Sequence, residues 1–234
     1  MLLLTGRFVY VWAPIQKGVP ARDALAAGVG AVLLLCAAGL LWRKSAVIPA
    51  GVVGLIFLAW LLLLQAPRIV AAPSKELLWS GAAQLAAVVA ASAIVFQSAG
   101  NDLRSARWRI RAPRLLYAIS LLVFGLHHFL SMPGAVEAVP AWIPAPAGWV
   151  YLTGIAHIAA GMALLIGIVP GLAATLEASM ISAFVLLVHV PGVVAAPRDR
   201  LQWTMLSVAF LIAAAAWVVA QSSSDFERHP EARA

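Results

Sequence analysis

Seven apolar runs of about 20 residues leave this chain one environment in which it can fold. They lie near 24–42, 47–66, 77–97, 115–131, 149–169, 172–190 and 202–221. A helix rising ~1.5 Å per residue needs about 20 residues to cross a ~30 Å hydrocarbon core. Of the 234 residues 63% are hydrophobic and 11% charged, against about 45–50% apolar and about 25% charged in soluble domains. No soluble fold of this length hides so much apolar side chain. The expectation is an all-α, polytopic membrane helix bundle of about seven transmembrane helices, with the lipid bilayer as its first partner. The net charge of +7 does not point to nucleic acid, because the basic residues sit in short loops between apolar runs, as membrane topology requires. The one cysteine, Cys36, lies inside an apolar run, which excludes a disulfide framework and a CxxC redox pair. The opening MLLLTGRFVYVWAP has no basic leader and no clear cleavage site, so no cleavable signal peptide is expected.

The helices repeat. Residues 62–79, LLLQAPRIVAAPSKELLW, return at 186–203 as LLVHVPGVVAAPRDRLQW, an ungapped offset of 124 with nine of eighteen positions identical. Leu and Ala would match by chance in so apolar a chain. Pro67/Pro191, Pro73/Pro197 and Trp79/Trp203 in one register would not. The same offset pairs Gly30 with Gly154 and Pro20 with Pro144. A repeat of this kind reads as a duplicated helix bundle. The second copy, 115–222, has four helices; the first, 1–98, has three, its first helix truncated or begun upstream of Met1. Between them runs a basic linker, 99–114, and residues 223–234 read as a disordered tail.

Arginine sets the orientation. The stretch 98–114 carries Arg104, Arg107, Arg109, Arg111 and Arg114, whereas 132–148 carries no Lys or Arg. The linker is therefore expected in the cytoplasm and loops 132–148 and 191–201 outside. Summed over all loops the excess is nine against seven.

Ionisable residues inside membrane helices are costly and mark functional sites by default. His127, His128, His157, Glu177 and His189 all lie in the second copy, and the offset pairs them with Leu3, Leu4, Leu33, Val53 and Gln65. The first copy keeps the scaffold without the chemistry. His128 and His189 lie near the outer ends of their helices, with His157 about eight residues, or ~12 Å, further in. Trp142 and Arg200 stand in loops on the same face. Glu177 lies deeper, where its small neighbours suit close helix packing. A lone intramembrane histidine often does no more than bond a neighbouring helix's carbonyl, for less than ~1 kcal/mol. Convergence from three helices raises His128, His157 and His189 above that reading, as ligand-binding candidates together with Trp142 and Arg200. No catalytic residue is assigned, and no ligand geometry fixes a metal or haem.

Three stretches, FGLHHF at 124–129, VPAWIPAPAGWVYLTGIAHIAAG at 139–161 and LLVHVPGVVAAPRDRLQW at 186–203, make the second copy resemble the DoxX family of bacterial and archaeal membrane proteins. The first copy resembles it more weakly, through 62–79. The resemblance implies a four-helix bundle as the unit, a place in the inner (plasma) membrane, and a link to membrane redox chemistry, since the family's namesake is a small subunit of a thiosulfate:quinone oxidoreductase. His128, Trp142, His189 and Arg200 match family positions without assigned roles. At 127 and 157 this chain has histidine where family members often have an acidic residue.

The leading expectation is a membrane subunit or binder of a quinone-like lipophilic molecule, histidine bonding a quinone carbonyl and apolar walls holding its ring, within a membrane redox complex that supplies a protein partner. It leans away from catalysis by the chain alone. The alternatives are a structural partner that anchors another protein, and a small-molecule transporter. Parallel repeats suit a transporter, but the polar residues sit in one copy only.

Overall fold

The computed structural model describes residues 20–42, 44–98 and 103–228, with the side chains of 103–108 and 225–228 left aside. Among them the regular elements are all helices. In chain order they are α1 (Arg22–Leu40), α2 (Val47–Ala59), α3 (Ala66–Ala71), α4 (Glu76–Gln97), α5 (Leu103–Leu130), α6 (Met132–Ala138), α7 (Pro146–Ile166), α8 (Pro170–Phe184), α9 (Val190–Ala195) and α10 (Arg200–Arg228). Seven spans among them are long and apolar enough to cross a membrane, as the sequence requires.

Two of these spans are composite. Pro67 and Pro191, which read as loop residues, lie instead inside continuous helical rods, Val47–Ala71 and Pro170–Ala195. Proline lacks an N–H and its ring strikes the carbonyl four residues back. Each rod meets this with a π-helical turn just ahead of the proline, Trp60–Gln65 and Val185–His189. The wider turn shifts the hydrogen-bond register and moves the ring clear. After each rod the chain turns sharply, and a tryptophan on the next helix closes the turn. The Trp79 indole N–H donates to the Pro73 carbonyl and the Trp203 N–H to that of Pro197, both at 2.8 Å. Ala21 and Ala145 at the starts of α1 and α7 both have φ of 54°, and Ala72 and Ala196 share another irregular conformation. Positions 124 apart in sequence thus share local geometry in several places.

The spans α5, α7, α8 and α10 pack in that order, and α4 closes the ring by packing on both α5 and α10. α4 therefore lies at the centre, with Leu85, Ala87 and Ala90 fully shielded. Its small residues let neighbouring backbones approach, which is how membrane helices gain packing where lipid removes the hydrophobic drive between them. α2 packs on α4 and α1 on α2. Large apolar side chains such as Leu35, Leu63, Val70 and Leu176 remain exposed on the outside, as suits a lipid-facing surface.

Other boundaries differ from the sequence reading. The basic stretch expected as a linker, 99–114, is helical from Leu103 on, as the first turns of α5; its positive charges sit on a helix rather than a loop, because arginine is a good helix former. Residues 99–102 lie outside the described residues. The polar tail expected from 223 continues α10 as far as Arg228, and 229–234 lie outside the described residues, as do 1–19, on which the expectation about the first copy's first helix falls. The stretch 132–148 includes the short helix α6.

Candidate functional site

Three helices build the polar interior, and glycines decide how close they come. α5 and α7 cross where Gly125 faces Gly154. A methyl group on Gly125 would stand 2.6 Å from the Gly154 carbonyl and one on Gly154 would stand 3.1 Å from the His128 Cβ. Further along, a methyl group on Gly161 would stand 2.9 Å from the Ala118 carbonyl. This contact sets His128 beside His157, their ring centroids 5.0 Å apart.

α7 and α8 form a tight hairpin through Gly167, with φ of 77°, and Val169, with φ of 40°. Residues roughly equidistant from this turn meet across the hairpin. His157 and Glu177 do so: the imidazole Nδ1 and carboxyl Oε1 are 2.6 Å apart, and both residues are buried. A contact this short is a strong hydrogen bond between the two side chains. The His128 Nδ1–H donates to the Phe124 carbonyl at 2.8 Å. In both rings Nδ1 is therefore engaged and Nε2 is the atom left for another group. Phe124 and Phe184 enclose the pair, with ring centroids 5.9 Å and 6.2 Å from that of His157. Behind it, the second carboxyl oxygen of Glu177 and the hydroxyl of Tyr117 are buried without a hydrogen-bond partner among the described residues, and the two groups are within electrostatic reach of each other. Buried polar atoms in proteins are ordinarily bonded, to protein or to ordered water.

Two of the three expected histidines, His128 and His157, are thus brought together. His189 closes the π-helical turn after α8. Twelve residues separate it from Glu177, about 18 Å along a helix, and it shares no ring contact with the other two. Trp142 is exposed in the turn before α7, and Arg200 begins α10. Both lie at the end of the bundle where α5 stops and α7 starts, which is the His128 end. Near the same end Ser131 joins Glu76 on α4 to His127 on α5. Its hydroxyl is 3.4 Å from the Glu76 carboxyl and 3.3 Å from the His127 Nδ1.

Glu177 and Tyr117 were missed as members of the site. Glu177 carried a signal, because the Gly167 turn puts it at the depth of His157. Tyr117 carried none, being one aromatic in an apolar run. No group of three or more metal-ligating side chains occurs among the described residues.

Residues 111–190 match the family model described as DoxX. Comparison with curated proteins and with solved structures returned no match. The matched stretch runs from α5 to the second π-helical turn and contains His128, His157, Glu177 and both enclosing phenylalanines. With this DoxX domain and its seven apolar spans, the chain is a multi-pass membrane protein.

Proposed function

We propose that this protein binds a quinone-like small lipophilic molecule between α5, α7 and α8, as a membrane subunit of a redox complex in the cell's inner (plasma) membrane. The observation that carries the reading is the His128–His157 pair. Each ring is anchored through Nδ1, each keeps Nε2 for a ligand, and Phe124 and Phe184 supply flat apolar walls. An Nε2 lone pair accepts from a quinol hydroxyl, an Nε2–H donates to a quinone carbonyl, and the ring of either needs such walls. Glu177 fixes the orientation of the His157 ring, and when the proton between them rests on the carboxyl, His157 is the Nε2–H tautomer that donates. Trp142 and Arg200, at the same end of the bundle, would form the rim of this site, with His189 farther along the α8 rod.

The two halves read as copies of one helical unit, the first without the polar site. The local conformations shared at positions 124 apart support this. In the copies' place of contact, α4 from the first half completes the ring around the second, which gives the silent half a scaffold role.

Lipid extracts of the purified protein are expected to contain quinone, and a short-chain quinone analogue is expected to quench its tryptophan fluorescence saturably. His128→Phe, which leaves the His157–Glu177 pair in place, should weaken the analogue at least about tenfold, or ~1.4 kcal/mol. No co-purifying quinone together with no saturable quenching would overturn the reading and favour a structural partner.

A further inference from the structure

We propose that a proton-access path runs from the membrane face carrying Ser131 to Glu177 in the bundle interior, by way of His127, His128 and His157. It needs no bound quinone and goes beyond the ligand-binding reading.

The groups form a graded series. At the mouth, Ser131 lies between the carboxyl of Glu76 and the ring of His127, at 3.4 Å and 3.3 Å, and all three are partly buried. His128 is the next residue along α5 and turns its ring inward to His157, 5.0 Å away between centroids, a gap that a tilted ring or one water spans. His157 then contacts Glu177 at 2.6 Å. The series ends on a carboxyl oxygen that is buried and without a hydrogen-bond partner among the described residues, with the likewise unpartnered hydroxyl of Tyr117 within electrostatic reach. A purely structural pair ordinarily has both carboxyl oxygens bonded. A carboxyl that takes up and releases a proton keeps one free, because that oxygen is where the proton or a water sits.

The transfer balances without electrons. His128 keeps its Nδ1–H on the Phe124 carbonyl and accepts and returns a proton at Nε2. His157 accepts that proton at Nε2 as its Nδ1–H passes to the Glu177 carboxylate, leaving a neutral imidazole and a carboxylic acid. The titratable groups around this path are few. Glu177 is faced by His157 from α7 and by His128 and Tyr117 from α5. α4 brings only Glu76, at its first residue, and α10 has no titratable side chain from Leu201 to Ser224. Glu137 on α6 is exposed near the mouth.

The test is infrared spectroscopy of the full chain in lipid nanodiscs without quinone, stepped in pH and exchanged into D2O. A protonated-carboxyl band is expected to grow as pH falls, to shift promptly on exchange, and to be missing from Glu177→Gln. In Glu76→Gln and His127→Phe, near the surface and apart from the buried pair, the band should remain but exchange about tenfold more slowly. A carboxyl band insensitive to pH, or exchange unchanged in both mouth variants, would overturn the path. If Glu177→Gln fails to fold, the mouth variants alone decide. Quinone binding is read in a separate titration, so failure of either proposal leaves the other standing or falling on its own result.

Discussion

Glu177→Ala is expected to lower the stability of the folded protein by about 3 kcal/mol, measured by denaturant unfolding in mixed micelles. Removing one partner of a buried ionic pair typically costs about 3–5 kcal/mol because the other is left uncompensated. An ordinary hydrogen bond between membrane helices is worth only about 0.6 kcal/mol on average. The two figures are far enough apart for the experiment to choose between them. The contact is 2.6 Å long, and the side chains of both residues are almost wholly enclosed, at 4% and 0% exposure. Among the described residues Glu177 is the one carboxylate in contact with His157, so nothing there substitutes for it. His157→Leu should cost a similar amount. The double variant His157→Leu with Glu177→Leu should cost much less than the sum, because no unpaired polar group then remains. Additive costs would mean that the two side chains are independent, whatever their separation.

The second large effect is expected at Gly125. A valine there drives its side chain into the Gly154 carbonyl and the Ile158 side chain, which an added Cβ alone would meet at 2.6 Å and 2.5 Å. Backbone cannot rotate out of the way, so α5 must move off α7. Overpacking of this kind costs about 1–3 kcal/mol. The functional consequence is larger than the stability loss, because the same contact sets His128 beside His157. Gly125→Val is therefore expected to abolish binding of the quinone analogue while the protein still inserts in the membrane. Gly134→Ala on α6 is the control, since nothing lies within 4 Å of an added methyl there. Equal binding by both variants would separate the histidine pair from the helix crossing.

The spans were legible because hydrocarbon thickness sets their length and nothing else in so apolar a chain competes with that signal. Where spans end was less legible, for two reasons. Pro67 and Pro191 signal a break by their missing N–H, but a π-helical turn absorbs them, and the six residues that follow each turn stay helical. The five arginines of 98–114 signal a loop by their charge, yet from Leu103 they ride on a helix. Charge locates the end of the hydrocarbon, not the end of the helix. In the site, His128 and His157 could be read from the cost of placing polar groups in a membrane. Glu177 is costly too, but depth counted along single helices puts it below the histidines. Folding the chain at Gly167 shows that His157 and Glu177 are opposite each other. Their pairing is a property of the hairpin, and no feature of either helix alone contains it. The place of α4 was likewise invisible, because its small residues fit an interior helix of either half.

The most direct measurement is histidine-ring NMR on the protein labelled with 15N at its five histidines, in detergent or lipid. One ring should show an Nδ1 proton in a strong hydrogen bond, shifted far downfield. That signal should vanish in His157→Gln, move back toward the ordinary range in Glu177→Gln, and persist in His189→Gln. A spectrum in which no ring shows such a proton, or in which Glu177→Gln leaves every ring unchanged, would contradict the buried pair that orients His157 and ends the proton path.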